Sequence, residues 1–156
     1  MIKVLMLDVD GVMTDGSIIY DNEGKEYKIF NVRDGFGIKL LQKMNVEVII
    51  ISGRTSNITT IRAKELEITK VFQGVNNKLA FYETLKLKNG WEDNEVAFIG
   101  DDVNDIELMN KVGISATTND SFDYVKDSAH IVTPVNGGKG AVRYFIDYII
   151  NLNKKR

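Results

Sequence analysis

Cysteine is absent from this 156-residue chain and histidine occurs once. The first absence excludes a disulfide framework, a thiolate nucleophile and any Cys-based zinc or iron–sulfur site. Together the two leave transition-metal chemistry almost without ligands. Proline also occurs once and the 13 glycines are scattered, so no linker is expected, and no internal repeat of useful period is present. Neither sign of charge dominates: 20 Lys and Arg against 22 Asp and Glu give −2, without the basic excess of a dedicated nucleic-acid binder. The longest unbroken apolar runs, Val4–Leu7 and Val48–Ile51 among them, have four residues each, against the roughly 18 that a membrane span needs. The first run is interrupted at Asp8, too short for a signal-peptide core and without a cleavage site, so a cytoplasmic protein is expected. At roughly 150 residues per domain the length predicts one domain over residues 1–156. Its lysine-rich end, residues 153–156, is expected to fray.

What the chain does have is short runs rich in Val and Ile that alternate with stretches of helical period, the pattern of βα units and a largely parallel, doubly wound α/β (Rossmann-like) sheet. Strands are expected at Val4–Leu7, Glu47–Ile51, 71–72, 95–99, 114–116 and Ile131–Val132, and helices over 36–44, 57–66, 77–86 and 103–112. A terminal helix carries Ala141, Phe145, Tyr148, Ile149 and Leu152 on one stripe. Residues 11–35 break the rhythm, with Ile18-Ile19-Tyr20, then Asp21-Asn22-Glu23-Gly24, then Tyr27-Lys28-Ile29-Phe30. This reads as a β-hairpin insertion over about 17–30 with a Gly-containing turn. Both faces of its arms carry large apolar residues, so it is expected to pack against something else.

The polar clusters all follow expected strand ends: Asp8-Val9-Asp10-Gly11 after the first, Ser52-Gly53-Arg54 after the second, and Gly100-Asp101-Asp102-Val103-Asn104-Asp105 after the fourth. In an open parallel sheet the ligand crevice lies beyond those ends, at the point where strand order reverses. If strand one sits between strands two and four, the clusters converge. Asp8, Asp10, Asp101, Asp102 and Asp105 would then repel one another unless a cation neutralised them. An all-oxygen site suits a hard cation, and Mg²⁺ with waters and a phosphate fits it. A single Asp after a strand is ordinarily a turn or cap residue; three clusters in register are not explained that way. An EF-hand fails because loop positions six and twelve are Met13 and Ile19, where Gly and Glu are required. A receiver domain fails because the later strand ends offer Ser52 or Asn76 in place of a phosphate-accepting Asp.

The set Asp8-x-Asp10-Gly11, Ser52, Lys78 and Gly100-Asp101-Asp102-x-x-Asp105 closely resembles the haloacid dehalogenase-like phosphotransferase superfamily. Residues 30–38 (FNVRDGFGI), 51–54 (ISGR), Gln73-Gly74 with Lys78, and 137–143 (GGKGAVR) resemble the 3-deoxy-D-manno-octulosonate 8-phosphate phosphatases. That likeness covers nearly the whole chain, with Asn119-Asp120-Ser121 departing from the Asp-Ala pair usual in the family. The resemblance implies a Mg²⁺-dependent phosphatase that forms an aspartyl-phosphate and serves lipopolysaccharide sugar supply. In it Asp8 is the nucleophile and Asp10 the general acid and then base. Ser52 and Lys78 bind the transferring phosphoryl group. Asp8 and Asp101 hold the metal through side chains and Asp10 through its carbonyl, while Asp102 and Asp105 orient metal waters and Lys78.

The resemblance further implies a substrate set of Asp10, Asn31, Arg33, Asp34, Gly35, Lys39, Arg54, Arg62 and Lys78. A sugar acid bearing carboxylate and phosphate needs several such donors, although any one of these cations alone could be a surface charge. Residues 137–140 could face an anion or merely cap the terminal helix. His130 is expected to be structural for want of a second His, and Trp91 to be packing.

The core fold uses essentially the whole length, leaving no room for a mobile cap domain. Water exclusion is then expected from the hairpin of a neighbouring subunit, and the resemblance implies a homotetramer. Three other readings are weighed. One is a phosphatase for a nine-carbon sialic-type sugar acid phosphate, which Arg54 after Ser52-Gly53 disfavours. Another is a catalytically silent oligomerisation module, against which the intact Asp8, Asp10, Ser52, Lys78 and Asp101 speak. The third is a receiver-type phosphorylation switch.

Overall fold

The computed structural model describes residues 1–155. Its first strand, β1 (Val4–Leu7), is followed by β2 (Ile19–Tyr20), β3 (Glu26–Tyr27), α1 (Val32–Lys43), β4 (Glu47–Ile51), α2 (Asn57–Glu65) and β5 (Lys70–Phe72). Then come α3 (Lys78–Asn89), β6 (Val96–Gly100), α4 (Ile106–Lys111), β7 (Ile114–Thr117), α5 (Asp123–Lys126), β8 (Ile131–Val132) and α6 (Ala141–Lys154). Six strands form one sheet in the order β5-β4-β1-β6-β7-β8, every neighbouring pair parallel. The order reverses at β1, which pairs with β4 on one side and β6 on the other. The expected arrangement of the three polar clusters therefore holds.

Alternate residues of the central strands serve two cores, as the two-residue period of a strand requires. Leu5, Leu7, Val48, Ile50, Ala97 and Ile99 pack with Ile38 and Leu41 of α1, Ala63 of α2 and Phe145 and Ile149 of α6. Val4, Met6, Ile49, Ile51 and Phe98 pack with Tyr82 and Leu85 of α3, Leu108 and Met109 of α4 and Val125 of α5. Each fully buried aliphatic side chain contributes about 1.5–3 kcal/mol, so the two layers fix the sheet that presents the strand ends. Trp91 packs against the second core, and His130 Nδ1 meets the Ser115 amide and hydroxyl at 3.1 and 2.8 Å. Both residues have the structural roles expected of them.

Several boundaries differ from expectation for identifiable reasons. Helix α1 starts at Val32, four residues before the expected 36. Gly35 and Gly37 lower helix propensity there, but the Asn31 side chain caps the helix by accepting from the Arg33 and Asp34 amides at 2.8 and 3.2 Å. The expected helix over 103–112 divides into a 3₁₀ turn (Val103–Asp105) and α4. Helix α5 was not foreseen; four residues give no period to read. The hairpin arms are two residues each, paired Ile19 to Tyr27 and Tyr20 to Glu26, because the Asp21 side chain extends the turn by accepting from the Glu23 and Lys25 amides. Residues 153 and 154 belong to α6 instead of fraying: Asn153 is buried and exchanges hydrogen bonds of 2.8 and 2.9 Å with the backbone of Ile2. No helix among the described residues is long and apolar enough to cross a membrane.

Candidate active site

Strand β1 delivers Asp8 to the C-terminal edge of the sheet, where its amide still donates to the Ile99 carbonyl of β6. The carboxylate is buried, accepts from the Val9 amide at 2.8 Å and lies 3.0 Å from Lys78 Nζ. Lys78 opens α3 and reaches inward, its side chain 1% exposed, to meet Asp105 Oδ1 at 2.6 Å as well. The other Asp105 oxygen accepts from the Asp101 and Asp102 amides at 2.9 and 3.3 Å. Asp105 thus ties Lys78 to the loop after β6.

Burial and then the charge of Asp105 push the Asp8 carboxyl up, against the pull of Lys78. Burial, followed by the charges of Asp8, Asp105 and Asp102, pushes Asp101 up further. For Lys78 the cost of burial is outweighed by Asp8 and Asp105, which hold it above the ordinary lysine range. One cation therefore faces three carboxylates in a space where desolvation already penalises charge.

That deficit is the test of fit for a metal. Asp8, Asp101 and Asp105 each offer an oxygen within 4.8 Å of the others. Asp105 is fully buried with both oxygens engaged, so the free donors are on Asp8 and Asp101. Gly11 shapes the same spot: it has φ +84°, and a Cβ there would lie 1.8 Å from Asp101 Oδ2. Only glycine lets the loop after β1 approach that carboxylate. The oxygen set fits a hard divalent cation.

The cleft at this edge has a volume of about 290 Å³ and is lined by Asp8, Asp10, Gly16, Ser52, Gly53, Arg54, Asp101, Asp102 and Asn104. The sequence-expected Asp8, Asp10, Ser52, Arg54, Asp101 and Asp102 are brought together, with Lys78 and Asp105 directly behind them. Two participants were not foreseen. Lys28 Nζ, on a side chain 1% exposed, lies 2.5 Å from Asp10 Oδ1 and 3.2 Å from Glu26 Oε1. Glu26 also faces Arg54 Nη1 at 3.4 Å and accepts from Ser56 Oγ at 3.2 Å. The hairpin therefore folds back over its own active site, a closure that the 17 residues between Asp10 and Lys28 gave no local spacing to reveal. The only sequence signal was polar Lys28 between Tyr27 and Ile29.

The remaining residues expected to bind substrate gather elsewhere in the chain. Gly35, Lys39 and Arg62 line a second cleft of about 250 Å³ with Val32, Phe36, Glu65 and Leu66. Lys39 pairs with Glu67. Arg62 faces the Asn31 carbonyl at 3.5 Å and the Phe30 ring at 5.6 Å. Arg33 is exposed on the first turn of α1. Asn31 donates weakly to Gly138 O at 3.4 Å in addition to capping α1.

Asp34 is buried and accepts from the Arg143 amide in the first turn of α6 at 2.9 Å, while its Oδ2 has no partner. Burial pushes its carboxyl up to about 6 against the opposing pull of the Arg143 amide and Arg62. The folded protein then holds a proton that the unfolded chain releases near 3.8, the ordinary aspartate value. On this group alone, stability falls as pH rises through that interval. Asp34→Asn should raise stability by about 1–3 kcal/mol at pH 8, the gain vanishing by about pH 4. Urea unfolding at both values checks it; an equal gain at both would place the effect outside Asp34 ionisation.

The segment over 137–140 neither faces the cleft nor simply caps α6. A Cβ on Gly137 would fall 1.8 Å from the Gly11 carbonyl oxygen, and the Gly138 amide donates to Val12 O at 3.0 Å. Asp120, in the loop that departs from the family pattern, accepts from the Gly137 amide at 3.1 Å. This turn is a backbone brace for the loop that carries Asp8 and Asp10.

Comparison with known proteins agrees with this geometry. The family profile of the haloacid dehalogenase-like hydrolases matches residues 53–146. The chain is 43% identical over 149 residues to a 3-deoxy-D-manno-octulosonate 8-phosphate phosphatase of Yersinia pestis, covering 96% of this chain and 80% of that one. The crystal structure of the Yersinia pestis phosphatase superposes with a TM-score of 0.95 at 42% identity, over 99% of this chain and 83% of that one. The Moraxella catarrhalis phosphatase, solved in complex with magnesium ion, phosphate ion and a KDO molecule, superposes with a TM-score of 0.94 at 37% identity, over 96% and 86% of the two chains. Strand order, an acidic cleft at the reversal point and identity above 40% over 96% of the chain together mean that this chain belongs to the 3-deoxy-D-manno-octulosonate 8-phosphate phosphatase family of the haloacid dehalogenase-like hydrolases.

Proposed function

We propose that the protein is a Mg²⁺-dependent phosphatase that hydrolyses 3-deoxy-D-manno-octulosonate 8-phosphate to the free sugar acid and phosphate. The observation that carries this reading is the buried Asp8–Lys78–Asp105 chain, with Asp8 and Asp101 lining one cleft that also contains Asp10, Ser52 and Arg54. The family relationship supplies the substrate.

The residues divide the reaction as follows. A carboxylate oxygen of Asp8 attacks phosphorus; the Asp8–phosphorus bond forms as the bond to the sugar oxygen breaks. Asp10 gives a proton to the departing alkoxide and later takes one from the water that hydrolyses the aspartyl-phosphate. Lys78 sets positive charge beside Asp8, and Ser52 donates its hydroxyl hydrogen to a phosphate oxygen. Asp8 and Asp101 would hold Mg²⁺ with the Asp10 carbonyl, and the bound ion screens an anionic nucleophile from an anionic phosphate. Arg54, at the cleft wall, faces the carboxylate end of the substrate.

Phosphate release from the octulosonate 8-phosphate should require Mg²⁺, vanish in excess chelator and return when Mg²⁺ is restored. Full activity in chelator would refute the mechanism, and a higher kcat/KM for a nine-carbon sugar acid phosphate would replace the substrate.

The active enzyme is further proposed to be a homotetramer. Ile18 and Ile29 are 59% and 68% exposed, and Tyr20, Val32 and Phe36 continue the apolar surface from the hairpin onto α1. Light scattering should give four times the 17.6 kDa chain mass; a monomer would reject the assembly. Conversion of both Ile18 and Ile29 to Asp should dissociate it, since unpaired charges at an interface are costly.

A further inference from the structure

Around Asp10 the structure builds a ring of alternating charge. Its Oδ1 lies 2.5 Å from Lys28 Nζ and 3.5 Å from Arg54 Nη1. Glu26 Oε1 faces the same two cations at 3.2 and 3.4 Å. The two cations are not equivalent. Lys28 is almost wholly buried by its side chain and makes a hydrogen bond to Asp10, whereas the Nη1 of Arg54 is buried without a hydrogen-bond partner. Arg54 donates from Nη2 to the Tyr20 hydroxyl at 3.4 Å, but its Nη1 is held by charge alone and keeps a donor available, while Lys28 is committed to Asp10. Both cations contact Oδ1, and among the described residues no group bonds Oδ2. The carboxyl is fixed at one oxygen and open at the other, on a residue that lines the cleft.

We infer that Lys28 is a positioning residue for proton transfer: delivered by the hairpin of the same subunit, it fixes the rotamer of Asp10 so that Oδ2 faces the oxygen leaving phosphorus. The inference rests on the reading of Asp10 as proton donor. As the ester bond breaks, the proton passes from the Asp10 carboxyl to the sugar oxygen and Asp10 becomes a carboxylate. Lys28 stands 2.5 Å from the atom pair that gains this charge, a fixed counterion that needs no rearrangement at the moment of reaction. Glu26 keeps the ammonium in place as its second carboxylate partner, at 3.2 Å. The hairpin is then part of the chemical machinery of its own subunit as well as an apolar surface for a neighbour.

The test uses leaving groups. The kcat/KM covers only steps through loss of the leaving group, and a good leaving group needs no proton. In saturating Mg²⁺, Lys28→Met and wild type are compared on 4-nitrophenyl, 4-chlorophenyl and phenyl phosphate and on the octulosonate 8-phosphate. The kcat/KM of the variant should fall about 10- to 100-fold further on phenyl phosphate than on 4-nitrophenyl phosphate, steepening the dependence on leaving-group basicity. Glu26→Gln, which loosens Lys28 without touching Asp10, should steepen it less. In an Asp10→Asn background Lys28→Met should add no further steepening, because the residue it positions is gone.

A uniform loss across the aryl series would make Lys28 a general charge or a structural support and overturn the inference. So would selective loss on the sugar acid alone, which would make it a substrate contact. Additional steepening in the Asp10→Asn background would also overturn it. Failure of the underlying reading is separable: the wild type itself would then release no phosphate, or Asp10→Asn would leave the leaving-group dependence unchanged.

Discussion

Asp8→Asn is expected to lower kcat on the octulosonate 8-phosphate by about 10⁴-fold or more while the protein stays folded. The amide is nearly isosteric and its oxygen can still accept from the Val9 amide and from Lys78, so the loop after β1 keeps its bonds. It cannot form the acyl-phosphate bond. Burial and Asp105 already penalise the charged form of Asp8, so the neutral side chain should leave the melting temperature unchanged or raise it. Phosphate release and a thermal melt on the same preparation check both halves. Turnover within tenfold of wild type would place the nucleophile elsewhere.

Lys78→Met should be damaging in a different way. Its ammonium is the only side-chain cation within salt-bridge distance of Asp8 and Asp105 among the described residues, at 3.0 and 2.6 Å, and Asp105 has no solvent access. Removing one partner of a buried ion pair costs about 3–5 kcal/mol, which for a chain of this size lowers the melting temperature by roughly 10 °C. Turnover should fall about 10²- to 10³-fold through loss of charge stabilisation. Adding Asp105→Asn to Lys78→Met removes the stranded charge but keeps an oxygen for the Asp101 and Asp102 amides, and should recover most of the stability but none of the turnover. If the double variant recovered turnover, Lys78 would be a structural counterion and no more.

The centre of the site was legible because βα geometry converts sequence position into space. Once Asp8, Ser52 and Asp101 follow strands, parallel pairing in the observed order puts them on one edge, and Lys78 follows from the short connection after β5. The hairpin was legible as a hairpin, but where it folds back depends on side-chain contacts from Glu26 and Lys28 to Asp10, Arg54 and Ser56. No local pattern encodes these. The start of α1 was misplaced because two glycines mask a cap that only the Asn31 side-chain geometry discloses. The substrate set divides along the same line: Arg54 sits at a strand end and lies in the cleft, whereas Arg62 and Lys39 sit on helices and face a second one.

The brace at Gly137 and Gly138 also orders events in time. The loop it supports, at Gly11 and Val12, leaves the ribosome well before the brace does. At about 5–20 residues per second, the nascent chain carries Asp8 for on the order of ten seconds before the supporting backbone exists. During that interval the Asp8 loop lacks its backbone brace, so catalytic competence is expected only after residue 138 has been made. A fragment released early by a truncating mutation before residue 137 would retain Asp8, Asp10, Ser52, Lys78 and Asp101 in its sequence and still be unable to act.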